Sequence, residues 1–297
     1  MEGQGRPHQH LPVLMRPVLE QLPEGREIFV FDGTFGRGGH ARAIGERAKV
    51  EAYVAMDRDP EALSVAKEWK PDFPVHVIDG PFSTMQEVLK ERGISDVDVI
   101  FLDLGVSSPQ LDDPTRGFSF LRPGPLDMRM DPRSGPSAAE LIRDLGEKDL
   151  ADLIYKYGEE RQSRKISRAI VTHRGISPIV DTHQLASVVE SVVPRRGRNH
   201  PATQTFQALR IAVNRELEEL ETSLDQILDL LRPGGRAMII SFHSLEDRLV
   251  KLRFREWKQQ GHGWLPVKKF LSADAVEMKE NPRSRSAKLR VFEKKAS

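Results

Sequence analysis

The 297-residue sequence contains no cysteine. Without a thiol there is no structural disulfide, no cysteine-ligated zinc and no cysteine nucleophile. The last exclusion reaches into nucleic-acid chemistry, because methylation at carbon 5 of a pyrimidine generally needs a thiolate that adds to the ring. Long apolar runs are missing too. No stretch approaches the ~18–20 consecutive apolar residues of a membrane span. The polar segment Met1–His10 lacks the apolar core of a secretory signal. A cytoplasmic protein with no membrane partner is expected. An excess of charge is also lacking: 45 Lys and Arg against 44 Asp and Glu leave a net +1. Contact with a polyanion must therefore come from local patches. No internal repeat is visible at periods of about 20–50 residues.

What is present is an alternation. Apolar runs at Ile28–Phe31, Ala52–Met56, Val75–Ile78 and Val97–Leu102 read as strands. Helix-compatible segments separate them: His40–Lys49, Pro60–Trp69 with proline as first helical residue, and Ser83–Arg92. Strands alternating with helices predict right-handed βαβ units, a mostly parallel sheet and helices on both faces. Asp32, Asp57 and Asp103 follow three of the strands, so all three are expected on the carboxyl edge, where α/β sheets bind ligands. Gly105–Arg133 is rich in Gly, Pro, Asp and Ser and reads as a long ordered loop, which is uncommon without a function. Ser137–Val193 has a helical pattern only. Thr205–Leu231 follows as a strong helix, with Leu217, Leu220, Leu224 and Leu228 at helical spacing, then Arg232-Pro-Gly-Gly235 turns into a strand over Ala237–Phe242. The expected organisation is a discontinuous domain over 1–112 and 203–297, interrupted at 113–202 by a loop and a small all-helical insertion.

Three motifs carry chemistry. The first is Asp32-Gly-Thr-Phe-Gly36-Arg-Gly38-Gly39-His40, between a strand and a helix. Its glycines let the backbone approach a ligand, and the helix start offers unpaired N–H groups to a phosphate or to the carboxylate of an amino-acid-like cofactor. The second is Asp57, placed to accept from both ribose hydroxyls of a nucleoside. Gly36-x-Gly38-x-x-Ala41 also matches a dinucleotide pattern, which makes an NAD-dependent oxidoreductase one alternative. However, an acid beside the turn repels a pyrophosphate and attracts a sulfonium and an α-ammonium group. S-adenosylmethionine is therefore the expected cofactor, and no metal is required. The third motif is Leu102-Asp103-Leu-Gly-Val-Ser107-Ser-Pro109-Gln110. It loosely resembles the acid/Ser-Pro-Pro-aromatic loop of enzymes that methylate exocyclic amines of bases. Such an amine is a poor nucleophile and must be held for in-line attack. Asp103, Ser107 and the backbone carbonyl at Pro109 are the expected catalytic groups.

Phe82 is placed to meet an adenine, and Phe118 and Phe120 are candidate surfaces for a splayed-out base, although anchoring a loop serves equally. Arg161, Lys165 and Arg168 are expected on one helix face opposite Ile166 and Ile170, and Arg195, Arg196 and Arg198 form a compact basic loop. The tail from Lys279 carries seven Lys and Arg against two Glu. These are candidate RNA contacts. A non-catalytic ribosome-assembly factor is the remaining alternative. His243 and Ser244 beside Glu246 and Asp247 invite a hydrolytic reading, but Ser244 with Asp247 reads better as a helix cap.

The motifs above, together with Arg116-Gly-Phe-Ser-Phe120, Gly124-Pro-Leu-Asp-Met-Arg-Met-Asp131, Tyr157-Gly-Glu-Glu-Arg161, His200-Pro-Ala-Thr-Gln-Thr-Phe-Gln207 and Ser241-Phe-His-Ser-Leu-Glu-Asp-Arg248, closely resemble the RsmH (MraW) family, from about His10 to Arg290. That family comprises bacterial small-subunit rRNA (cytosine-N4)-methyltransferases. The resemblance implies a Rossmann-like class I methyltransferase domain with a helical insertion, acting on a cytosine of the decoding region. It implies cofactor contacts at Gly38, Gly39, His40, Asp57, Phe82, Asp103 and Gln110, beside Asp32 and Gly36 of the same turn. Small-subunit rRNA, within an assembled or nearly assembled subunit, is the expected partner, with a second copy of the chain as a further one.

Overall fold

A computed structural model describes residues 12–195 and 200–296. In chain order the elements are α1 (Met15–Glu20), β1 (Ile28–Asp32), α2 (Gly39–Arg47), β2 (Val50–Asp57), α3 (Pro60–Glu68), β3 (Val75–Asp79), α4 (Met85–Glu91), β4 (Val97–Asp103), α5 (Ser108–Asp112), α6 (Ala138–Asp144), α7 (Glu147–Gly158), α8 (Ser163–Arg174), α9 (Thr182–Val192), α10 (Thr203–Asn214), α11 (Glu216–Leu230), β5 (Leu231–Ser241), α12 (Ser244–Gln259), β6 (Gly263–Trp264), α13 (Ala275–Glu280) and β7 (Lys288–Lys294). The chain divides into two compact units, residues 1–105 with 219–297 and residues 106–218. These limits differ from the 112/113 and 202/203 boundaries that composition alone draws.

The first unit is built on one sheet of seven strands, in the order β3-β2-β1-β4-β5-β7-β6. β1, β2, β3, β4 and β5 pair in parallel, and β7 runs antiparallel between β5 and β6. β1 and β4 are apolar without alternation because both faces of the sheet are covered. One face packs Phe31, Val54, Ile100, Leu102 and Ile239 against Leu224, Ile227 and Phe254; the other packs Val30, Tyr53, Val99, Phe101 and Ile240 against Val18 and Ile44. The order reverses direction between β1 and β4, which places the switch point next to the turn after β1. Pro60 does stand at the start of α3, with Asp59 capping it by accepting from the Glu61 N–H. The segment from Lys279 onward is not a free basic tail. Lys288 and Arg290 of β7 pair with Asp247, and the Lys294 ammonium donates to the carbonyls of Leu228 and Leu231.

The second unit buries its own core, including Leu126, Ile142, Leu150, Ile154, Ile166, Ile170, Leu185, Val189 and Leu209. The segment expected as a loop over Gly105–Arg133 holds the short helix α5 and a 3-10 turn at Pro114–Arg116. The single helix expected over Thr205–Leu231 is two. α10 ends at Asn214, Arg215 after it takes a left-handed φ of 51°, and α11 begins at the next residue. A periodicity of leucines does not register one residue that changes hand.

Candidate active site

The site begins at the turn after β1. Residues 33–36 are tied to the ends of both neighbouring strands, β2 and β4. The Gly33 N–H donates to the Phe101 carbonyl (3.1 Å) and the Phe35 N–H to the Met56 carbonyl (3.1 Å). The Gly36 N–H donates to Asp57 Oδ2 (2.8 Å), and Thr34 Oγ1 accepts from the Asp103 N–H (2.7 Å). Close approach decides two glycines. A Cβ at Gly33 would lie 2.6 Å from Leu102 Cδ2, and Gly38 takes φ +70° as it caps α2 with no side chain of its own. α2 therefore starts without a side-chain cap, leaving its first N–H groups to an external acceptor.

The carboxyl edge of the sheet carries the acids as expected: Asp32 ends β1, Asp57 ends β2 and Asp103 ends β4. Asp32 is 1% exposed and turned inward. Its Oδ1 accepts from the Thr34 N–H (3.0 Å) and its Oδ2 from the Tyr53 hydroxyl (2.9 Å). Its part in the site is thus to brace the turn and to supply negative field, rather than to offer a free oxygen. Burial raises its pKa to about 7, against the bonds from Thr34 and Tyr53. Asp57 accepts from the Gly36 and Asp59 N–H groups, and burial holds its pKa at about 6. Each of its oxygens retains a second lone pair for a ribose hydroxyl.

Asp103 is the least satisfied of the three. Its Oδ1 is buried with no hydrogen-bond partner among the described residues. Its Oδ2 lies 3.7 Å from His40 Nδ1, beyond hydrogen-bond reach. Burial, then the charges of Asp32 and Glu246, push its pKa up to about 8. His40 offers no compensating charge: burial lowers its pKa to about 4, Nε2 bonds the Val13 carbonyl (2.9 Å), and the ring packs on Phe101. Among the described residues none of the three acids has a Lys or Arg partner. An edge of this kind is best relieved by a cation. Uncapped helix N–H groups, a side-chain-free turn and Asp57 suit the carboxylate and ribose of a nucleoside that carries such a cation, so the residues present fit S-adenosylmethionine. Phe82 opens a 3-10 turn after β3, partly buried, its Cβ 2.8 Å from where a Gly33 side chain would begin.

Sequence reasoning overlooked several members of this edge. Thr34 and Tyr53 are one: their hydroxyls take part in the bracing, and only Thr34 lay inside a motif. Ser241, the last residue of β5, is another; His243 and Glu246, read from the sequence only as hydrolytic partners, follow it. The cap of α12 falls one residue before the expected Ser244: His243 accepts from the Glu246 N–H, and Glu246 accepts in return from the Phe242 and His243 N–H groups. Asp247 is occupied by Lys288 and Arg290. His243 and Glu246 thus serve as a reciprocal helix cap, not as members of a hydrolytic triad.

Ser107, Pro109 and Gln110 belong to the second unit. Ser107 caps α5 by accepting from the Gln110 N–H, and Gln110 Oε1 accepts from the Ser107 N–H (2.9 Å). The Pro109 carbonyl accepts from the Asp113 N–H (2.9 Å). The Pro109 carbonyl and Gln110 Oε1 thus each accept one bond within the helix turn. Phe118 is buried in the helical core, which leaves no face for a base, and Phe120 is packed by Phe206 and His200 at centroid distances of 4.8 and 4.5 Å. Both aromatic residues anchor their loop. Arg161, Lys165 and Arg168 are exposed and Ile166 and Ile170 are buried, as the spacing predicts, although Arg161 precedes α8. Arg195 is exposed. Arg196 and Arg198 lie outside the described residues.

Sheet order, glycine turn and acid edge define a Rossmann-like class I methyltransferase that uses S-adenosylmethionine. The model of the MraW methylase family matches residues 7–295, and the chain belongs to that family. It is 47% identical to the ribosomal RNA small subunit methyltransferase H of Xanthomonas euvesicatoria, over 97% of this chain and 89% of the relative. It is 46% identical to the protein of the same name from Alcanivorax borkumensis, over 97% and 98%. Among solved structures, an rRNA methylase from Streptococcus thermophilus aligns over 99% of both chains with 10% identity and a TM-score of 0.42. Family membership sets aside the oxidoreductase reading.

Proposed function

We propose that this chain transfers a methyl group from S-adenosylmethionine to the exocyclic N4 of a cytosine in the decoding region of small-subunit (16S) ribosomal RNA, within an assembled or nearly assembled subunit. The names of the relatives support ribosomal RNA as substrate. The absence of cysteine removes carbon-5 chemistry and leaves nitrogen or oxygen. The observation that carries the choice of an amine is the buried, unpartnered Asp103 Oδ1 at the end of β4. An acceptor there holds an N–H of the amine and orients its nitrogen for in-line attack.

S-adenosylmethionine supplies a methyl group activated by a sulfonium leaving group. The chain supplies position and field. Gly36, Gly38, Gly39 and the start of α2 present backbone N–H groups, Asp57 accepts from the ribose, Phe82 borders the adenine, and Asp32 holds the turn. Asp103 receives the amine hydrogen bond and, once ionised, takes up or passes on the proton released after transfer. The exposed Arg161, Lys165, Arg168 and Arg195 contact RNA phosphates. Mass spectrometry of small-subunit rRNA from cells lacking the protein tests the reading. One N4-methyl group should be missing from a decoding-region cytosine; rRNA with an unchanged set of methylated bases would refute it.

A further inference from the structure

The end of β5, which lies beside the end of β4, carries polar groups that the methyl-transfer reading does not use. The two strands are in register there: Asp103 pairs with Ile240, and the Leu104 N–H donates to the Ile240 carbonyl (3.0 Å). Ser241 follows Ile240 and is 2% exposed, with its Oγ buried and unpartnered among the described residues. His243 comes two residues later. Its Nδ1 accepts from the Glu246 N–H (3.4 Å), so in the neutral ring the proton resides on Nε2. That Nε2 is buried with no hydrogen-bond partner among the described residues. Glu246 Oε1 lies only 3.1 Å away, but off the line of the N–H, because Glu246 is turned to the backbone N–H groups of Phe242 and His243. A buried N–H donor without an acceptor is costly, and its persistence beside a site indicates a ligand that completes it.

We propose that the His243 Nε2–H reads the ring nitrogen next to the amine that Asp103 holds, so that the two residues together recognise the Watson–Crick edge of the acceptor base. The inference rests on the amine reading above. Asp103 offers an acceptor and His243 a donor. An edge with an amine donor beside a ring-nitrogen acceptor is that of cytosine or adenine. Guanine presents its amine beside a ring N–H, which would meet the His243 donor head-on, and uracil has no amine. A pair of unlike groups thus gives base discrimination that a carboxyl group alone does not, since a site built to hydrogen-bond rejects an analogue that leaves its buried group unpaired. Ser241 Oγ, on the same strand end, is the neighbouring hydroxyl available to support the bound edge.

The test pairs two variants with two substrates. Asp and Asn both cap helices well and are nearly isosteric, so H243D and H243N should both fold, and only H243N retains a donor. The substrates are an rRNA fragment or subunit carrying cytosine at the target, and the same RNA with 3-deazacytosine, in which a C–H replaces the ring nitrogen. With the wild-type protein the 3-deaza base should weaken equilibrium binding and lower kcat/KM by roughly 10-fold. H243D should lose a similar factor on cytosine and lose nothing further on the 3-deaza base; H243N, which adds no charge to the acid edge, should bind S-adenosylmethionine with unchanged Kd and recover part of the loss. If the 3-deaza penalty is as large in H243D as in the wild type, His243 does not read that nitrogen and the inference is overturned while the function stands. If the wild-type protein places no methyl group on the cytosine amine, the function itself fails and the inference falls with it.

Discussion

The two edges of one sheet use the same residue type to opposite ends. At the amino edge, Asp98 is the second residue of β4 and is 1% exposed, as deeply buried as Asp32. It is fully provided for. Arg26 approaches to 3.0 Å and Arg232 to 2.8 Å, and the Phe29 N–H donates to it at 2.9 Å. Arg232 also bridges Asp96 and Glu51, whose bonds raise its pKa further above the usual guanidinium value and hold Asp96 below the usual carboxyl range. At the carboxyl edge, Asp32, Asp57 and Asp103 have no guanidinium partner among the described residues, and burial drives all three pKa values up. A buried carboxylate with its cation stabilises a fold once paired, and removing one partner is expensive. A carboxyl group denied its cation is held ready for one that arrives from outside.

This contrast can be broken from either side. The largest effect is expected from Asp103→Asn, which keeps the shape and removes the charge. Methyl transfer should fall about 10²-fold or more, while the melting temperature of the ligand-free protein stays level or rises, because a crowded acid has been relieved. A clear loss of stability would place Asp103 with Asp98 instead. Arg232→Met should do the reverse. Leaving Asp98 with Arg26 alone should destabilise the fold by about 3 kcal/mol in denaturant unfolding, with the S-adenosylmethionine Kd of the folded fraction unchanged.

Asp57→Ala comes next. Loss of the ribose acceptor and of the bond to the Gly36 N–H should weaken S-adenosylmethionine binding about 10-fold by calorimetry. The smallest effect is in pH. Asp103 at about 8 and Asp32 at about 7 titrate above the ordinary value of 3.8. As pH rises from about 4 to 8, the unfolded chain gives up these protons before the folded one, so the ligand-free protein binds more protons than its unfolded state and loses stability across that window. A cationic cofactor reverses the shift, so its binding at pH 7 should release about one proton, read as a dependence of the binding enthalpy on buffer ionisation. Asp103→Asn should remove most of that release.

Much of this was legible in the chain, for physical reasons that can be named. Strands covered on both faces leave unbroken apolar runs, and an aspartate closing such a run is conspicuous. The three acids and the glycine turn were therefore found from the sequence. The amino edge was not, since Asp98 sits inside the strand-like run Val97–Leu102 and nothing local shows that two arginines from distant segments reach it. Phe118 and Phe120 were ambiguous because an aromatic residue in a polar loop reads alike whether it anchors the loop or faces solvent. The short helix α5 read as loop because five residues are too few to show a period. His243 was passed over for Ser244 because serine is the commoner cap, and only the three-dimensional position of Glu246 reveals the reciprocal bonds.

The place of β5 in the sheet also bears on how the chain is made. β4 leaves the ribosome early, but its partner β5 lies beyond the whole of the second unit. Until Leu231–Ser241 emerges, the outer edge of β4 presents unpaired backbone groups along an apolar strand. Nascent chains arrested near residue 218 should accordingly be captured by chaperones or clump together, and chains arrested past β7 should not. The protein finishes its most vulnerable seam almost last.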